Sequence, residues 1–126
     1  MSDVYIVGGG PAAAMFDKHF SEFLKGKQIV RAETPSDVVE AIHAAAKRRT
    51  TRSVVLVGCG GSPGRRIITD PSGLQVSRAS RRWKPGDDWP EKLAAAKRQV
   101  KTEHGVNVHS LNPFINFAYE GHAFDG

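Results

Sequence analysis

The chain has 126 residues and a formal net charge of +5, a length typical of a single domain. Its composition, 40% hydrophobic and 25% charged, excludes a disordered chain, and no apolar run approaches the ~18 residues of a membrane-spanning helix. Cys59 is the single cysteine, so no internal disulfide can form, and with no signal peptide visible we expect a cytoplasmic protein without membrane contact.

The first half of the chain alternates short apolar runs with helical patterns. Residues 4–7 predict a strand buried on both faces, and residues 12–25 have the spacing of a helix with an aromatic stripe. A second strand is predicted over residues 28–32, and a second helix begins after Thr34, whose side chain can cap it. Residues 53–57 predict a third buried strand. This alternation predicts parallel strands joined by right-handed crossovers.

After the third strand the pattern changes. Residues 66–69 and 74–77 predict a hairpin, and residues 78–87 predict a polar, basic loop. A second capping-box helix start lies at Asp88, and Gly105 is expected to end that helix. Residues 106–111 predict a final strand. The expected fold class is therefore α/β: one three-layer domain over residues 1–126, with a mainly parallel sheet of four or five strands, three helices and a hairpin.

The last fifteen residues, 112–126, are rich in large apolar side chains: Phe114, Ile115, Phe117, Tyr119 and Phe124. This density is too high to leave in water, so we expect the tail to dock on the domain or on a second copy of the chain. A homo-oligomer assembled through the tail is therefore predicted, and a lid over a ligand is the alternative.

A glycine-rich turn follows the first strand and opens the first helix. The run from Gly8 to Ala13 fits G-x-G-x-x-A, in which glycines let the backbone approach a diphosphate and the helix start offers N–H groups to anionic oxygens. Glu33, just beyond the second strand, can accept hydrogen bonds from ribose hydroxyls. The alternative is a tight strand-to-helix turn with a purely structural role.

The run VYIVGGGPAAA together with Glu33 resembles the Rossmann-type dinucleotide-binding superfamily over residues 3–33, about a quarter of the chain. The resemblance implies a Rossmann-like fold and a nucleotide or dinucleotide as ligand. It also implies the following contacts: phosphate at Gly8, Gly9, Gly10 and Ala12, and ribose at Glu33.

A second glycine-rich turn, residues 58–64, follows the third strand. If the first and third strands are neighbours, both turns line one crevice at the edge where open α/β sheets bind ligands. This arrangement is similar to the nucleotide-derivative-binding domains of the SLOG/LOG type, whose glycine turns cradle a phosphoribosyl group. We therefore expect a phosphate-bearing, anionic ligand. The candidate contacts on this side are Gly58, Gly60, Gly61, Ser62, Arg65 and Arg66.

The second turn also suggests a small hydrolase. Ser62 lies in a G-x-S-x-G pattern, and Cys59 stands at the end of a strand, so each is a weak candidate nucleophile. A nucleophile elbow needs a following helix, whereas residues 65–69 predict a strand, and Pro63 lacks the N–H that an oxyanion hole would use. The five histidines show no metal-ligand spacing, so no metal site is predicted, and the sequence leaves open whether the chain is an enzyme.

Positive charge is concentrated in the middle of the chain. Residues 41–84 contain ten Lys or Arg and one acid, Asp70, which gives this segment a charge of +9. Such asymmetry favours an anionic partner, and a basic nucleic-acid-binding module using residues 47–84 is an alternative to the small ligand. Trp83, surrounded by cations, can stack on a base or fold onto the domain. A structural or assembly protein held together by its aromatic tail is the remaining alternative.

Overall fold

The structure of the protein, a computed structural model, describes residues 1–14, 16, 25–60, 67–69 and 72–111. Its strands are β1 (Ser2–Val7), β2 (Gln28–Arg31), β3 (Thr51–Val57), β4 (Ile67–Thr69), β5 (Gln75–Arg78) and β6 (Asn107–Ser110). Its helices are α1, described at residues 11–14 and 16, α2 (Pro35–Lys47) and α3 (Trp89–His104). The rest of the predicted first helix and the tail 112–126, with its predicted oligomer contact, lie outside the described residues.

Four strands form a parallel sheet in the order β2-β1-β3-β6, so the predicted α/β class is confirmed. Val7 at the end of β1 is aligned with Arg31 of β2 and Val57 of β3, so the carboxyl ends of these three strands meet at one edge. β1 and β3 are neighbours, which is the condition under which the two glycine-rich turns share an edge. β4 and β5 pair antiparallel in a separate two-stranded sheet.

Hydrophobic residues pack on both faces of the parallel sheet because side chains alternate along each strand. On one face, alternate residues of β1 and β3 pack against α2 and α3: Val4, Ile6, Val54 and Leu56 against Val38, Ile42, Ala96 and Val100. On the other face the next residues along pack against α1: Tyr5, Val7 and Val57 against Ala13 and Phe16. The sheet therefore lies between two helical layers. In the described part of the chain, no helix is long and apolar enough to cross a membrane.

The two helix starts predicted to be capped differ. Thr34 caps α2 as expected, since its Oγ1 accepts a hydrogen bond of 3.2 Å from the Asp37 N–H. The helix start predicted at Asp88 is confirmed, since Asp88 occupies the N-cap position of α3, but the predicted cap is wrong, because its side chain makes no capping hydrogen bond. Its backbone has φ −89° and ψ 3° instead of an extended conformation, and its carboxylate lies 3.3 Å from Lys92 Nζ.

The Asp88 side chain therefore pairs with Lys92 instead of capping α3, and this arrangement stabilises the helix less. A capping side chain contributes about 1 kcal/mol, whereas an exposed ion pair four residues apart contributes about 0.3–0.5 kcal/mol. At the other end α3 follows its prediction, because Gly105 ends it in the left-handed conformation with φ 68°.

The two glycine-rich turns pack directly against each other at the carboxyl ends of β1 and β3. The Gly8 N–H donates to the Val57 carbonyl at 2.8 Å, and the Gly10 N–H donates to the Gly58 carbonyl at 2.7 Å. Gly58 has φ +64°, and a Cβ atom placed on it would lie 2.6 Å from the backbone nitrogen of Ala13. Both the backbone conformation and the packing of α1 therefore exclude a side chain at Gly58.

We expect Gly58→Ala to lower the free energy of unfolding by about 2–4 kcal/mol, because it adds steric conflict with α1 to an unfavourable backbone conformation. Gly26→Ala is the matched control: Gly26 has φ +75° but nothing within 4 Å of a new Cβ atom, so it should cost about 1 kcal/mol. Urea denaturation followed by circular dichroism measures both. Equal losses in the two variants would contradict a tight contact between Gly58 and α1.

Candidate functional site

Residues 79–89, here called the capping segment, cover the ends of β1 and β3. The Ser80 N–H donates to the Gly9 carbonyl at 2.8 Å. A Cβ atom on Gly9 would lie 2.9 Å from both the Trp83 Cβ and the Glu33 carbonyl oxygen. The space above the first glycine-rich turn is therefore filled by the chain itself, and the absence of a side chain at Gly9 allows this close packing.

Two tryptophans anchor the capping segment to the end of β3. Trp83 Nε1 donates to the Gly60 carbonyl at 3.2 Å, and Trp89 Nε1 donates to the Cys59 carbonyl at 2.8 Å. Their rings meet edge to face, with centroids 5.9 Å apart and an interplanar angle of 89°. Both side chains are buried, so Trp83 folds onto the domain and offers no exposed ring on which a base could stack.

A pocket of about 570 Å³ lies beside the capping segment, between the N-terminal ends of α2 and α3. α2 starts just after the carboxyl end of β2, and α3 leads back into the parallel strand β6, so both N-termini face the carboxyl edge of the sheet. The lining residues are Thr34, Pro35, Ser36, Val39, Arg82, Lys84, Gly86, Asp88, Trp89 and Lys92. With three cations and one carboxylate, this lining carries a net charge of +2.

The three cations of the pocket differ in their partners. Arg82 Nη1 lies 2.8 Å from Glu33 Oε2, and Lys92 pairs with Asp88. All four of these side chains are at least 60% exposed, so each pair is screened by water and contributes at most about 1 kcal/mol. Lys84 makes no ion pair among the described residues. It is therefore the lining cation whose charge is least compensated.

Several residues predicted from sequence to contact a ligand are used in internal packing. The N–H groups of Gly8 and Gly10 already donate to carbonyls of β3 and its turn, and the side chain of Ala12 is buried. Gly58 packs against α1, and the Gly60 carbonyl accepts the Trp83 indole N–H. Ligand contact at these positions stays a prediction. The other candidates after β3, which are Gly61, Ser62, Arg65 and Arg66, lie outside the described residues.

Of the sequence-predicted site residues, Glu33 is linked to the pocket by its ion pair with the lining residue Arg82. Sequence reasoning overlooked Lys92 and Ser36 as lining residues and treated Asp88 as a helix cap alone. The signal available for Lys84 was its place in the basic loop beside Trp83. Nothing in the local pattern indicates that this loop would lie against the start of α2.

Cys59 is completely buried, and its thiol lies 3.5 Å from the carbonyl oxygens of Ile6 and Val57. Burial raises the pKa of the Cys59 thiol to about 12, so the thiol is protonated at neutral pH. Because the thiolate is the reactive form, these surroundings are unfavourable for a nucleophile. Among the described residues, no group of three His, Cys, Asp or Glu side chains could hold a metal ion.

The basic segment is divided between two edges of the sheet. Lys47, Arg48 and Arg49 lie where α2 ends and β3 begins, at the amino edge, whereas Arg82 and Lys84 lie at the carboxyl edge. In the same amino-edge region, Arg52 is bound to the Asp3 carboxylate by two hydrogen bonds of 3.0 and 2.8 Å. The described cations of this segment are therefore found at both edges of the sheet.

No protein-family model, curated protein or solved structure matches the chain.

We expect Trp89→Phe to lower the free energy of unfolding by about 1–3 kcal/mol, because it leaves the buried Cys59 carbonyl without its donor while keeping an aromatic ring. Trp83→Phe should cost less, about 0.5–1.5 kcal/mol, since water can reach the partly exposed Gly60. Chemical denaturation of the two variants tests this order. A larger loss in Trp83→Phe would indicate that ring packing, and not the indole hydrogen bonds, anchors the capping segment.

Iodoacetamide should modify Cys59 at least about 100-fold more slowly in the native protein than in denaturant, because the thiol reacts only after an opening that costs about 3 kcal/mol or more. Mass spectrometry over a time course at neutral pH measures both rates. Rapid modification of the native protein would instead restore Cys59 as a candidate nucleophile.

Proposed function

We propose that this chain is a small Rossmann-like domain that binds a phosphate-bearing ligand, such as a nucleotide or dinucleotide, at the carboxyl edge of its sheet. The observation that carries the proposal is the pocket between α2 and α3, whose lining combines Arg82, Lys84 and Lys92 with one carboxylate. A pocket of about 570 Å³ lies within the range of small-molecule sites, roughly 300–1,000 Å³. Its net charge of +2 favours an anion.

The position of the pocket in the fold supports the same ligand. In open α/β sheets, ligands bind outside the carboxyl ends of the strands, near the point where connections leave for opposite faces. Here that point is between β1 and β3, because α1 packs on one face and α3 on the other. The capping segment packs over the first glycine-rich turn, and the pocket lies next to it among the described residues of the same edge.

The charges are arranged so that an anion can enter at little cost. The carboxylates that pair with Arg82 and Lys92 are exposed, and such pairs are easily exchanged for a ligand phosphate. Lys84 has no ion-pair partner among the described residues, so it can bind a phosphate without breaking such a pair. Ser36, which also lines the pocket, adds a hydroxyl that can donate to a phosphate oxygen.

The nucleic-acid alternative receives less support. Trp83 and Trp89 are buried, so the basic loop lacks the exposed aromatic rings on which unpaired bases stack. The cations before β3 lie at the opposite edge from those of the capping segment. A small ligand that needs one pocket is therefore the better match.

Isothermal titration calorimetry with AMP, NAD⁺, ADP-ribose and pyrophosphate tests the proposal. At least one of them should bind below millimolar concentration, and Lys84→Ala should weaken that binding about tenfold, because one charge-assisted contact is lost. Lys101→Ala is the matched control, since Lys101 is an exposed cation near the far end of α3, away from the pocket, and should leave affinity unchanged.

Two outcomes would contradict the proposal. One is the absence of heat and of thermal stabilisation with all four compounds at millimolar concentration, because a ligand of the native state must raise its stability. The other is equal weakening by Lys84→Ala and Lys101→Ala, which would indicate attraction to the overall positive charge and not to the pocket.

A further inference from the structure

We propose that Asp88 makes the pocket selective for phosphate esters that carry neighbouring hydroxyl groups, as in a sugar phosphate or the ribose of a nucleotide, over inorganic phosphates. This inference rests on the proposed function and assigns one specificity-determining residue to the same pocket. The residue was expected to be a helix cap, and its carboxylate instead lies along the pocket wall.

The first observation is the orientation of the Asp88 side chain. From the N-cap position it makes no hydrogen bond to the N–H groups of α3, and its Oδ2 lies 3.3 Å from Lys92 Nζ. The exposed pair contributes only weakly to the stability of the helix, so the carboxylate can leave Lys92 for a ligand at little cost. The carboxylate is 65% exposed and lines the pocket, where a ligand can reach it.

The second observation is the mixture of charges. A carboxylate close to a bound phosphate repels it, so a pocket that served only inorganic anions would be better without Asp88. A ligand that places hydroxyl groups against the carboxylate removes this disadvantage, since an ionised carboxylate accepts strong hydrogen bonds. Lys84, which has no described ion-pair partner, then serves the phosphate, and Asp88 serves the hydroxyls.

The third observation is the apolar part of the lining. Pro35, Val39 and Trp89 contribute to the pocket wall, and an inorganic phosphate has nothing to place against them. The volume of about 570 Å³ also accommodates an organic group beyond a phosphate. A phosphate on the cations, hydroxyls on Asp88 and carbon atoms against the apolar wall together describe a phosphorylated sugar unit.

The test compares AMP with 2′,3′-dideoxy-AMP, which differ only in the two ribose hydroxyls, in calorimetric titrations at one pH and salt concentration. The native protein should bind AMP about tenfold more tightly. In Asp88→Asn this preference should fall below about threefold, while affinity for pyrophosphate rises because a repulsive charge has been removed. Titration with ribose 5-phosphate distinguishes a sugar phosphate from a nucleotide as the ligand. Affinity equal to that of AMP indicates a sugar phosphate, and weaker affinity indicates a nucleotide.

Asp87→Asn is the matched control, because Asp87 is the neighbouring exposed aspartate and does not line the pocket. This variant should prefer AMP over 2′,3′-dideoxy-AMP as strongly as the native protein does. If Asp88→Asn keeps the full preference for AMP while Lys84→Ala still weakens binding, the role of Asp88 is overturned and the anion pocket stands. If no phosphate compound binds the native protein, both proposals are overturned.

Discussion

The architecture depends on the close backbone contact between the ends of β1 and β3, where the Gly10 N–H donates to the Gly58 carbonyl at 2.7 Å. A Cβ atom on Gly10 would lie 2.7 Å from the same oxygen, so this contact requires glycine. It brings two turns together at the position in the sheet where the connections leave for opposite faces. Because the turns are this compact, α1 can pack tightly on one face and the capping segment can lie across the other side of the edge.

The capping segment converts a crevice that could admit a ligand into part of the hydrophobic core. Trp83 and Trp89 satisfy the carbonyls of Gly60 and Cys59, which would otherwise need water or another donor at the strand end. The burial of Trp83 also fixes its two neighbours in sequence, Arg82 and Lys84, at the edge of the adjacent pocket. Trp83 thus holds the basic loop in place and determines where Arg82 and Lys84 lie.

The sequence was sufficient for the order and type of most elements, because strands buried on both faces and capped, amphipathic helices leave strong local patterns. Thr34 capped α2 and Gly105 ended α3 as predicted. The role of the glycines was harder to predict. A glycine indicates that another group packs closely against the backbone, but the sequence does not show which group that is. At Gly9 it is the capping segment, more than seventy residues away in sequence, and no local pattern reports a contact of that range. Asp88 failed as a cap because its backbone, with φ −89° and ψ 3°, does not have the extended conformation typical of a capping residue.

Glu33, like Trp83, links the pocket to the first glycine-rich turn. The backbone carbonyl of Glu33 packs against Gly9, and its carboxylate holds Arg82 at the pocket. Under the proposed function, a ligand phosphate competes with Glu33 for Arg82, and because both side chains are exposed, this exchange requires only side chains to move. In the proposed site the charges are exposed, whereas Trp83, which lies between Arg82 and Lys84 in sequence, is buried, so a ligand can bind without rearranging the fold. Under the proposed function, the glycine-rich turns contribute to ligand binding indirectly, by making the edge compact enough for Trp83 and Glu33 to bring their neighbouring charges together.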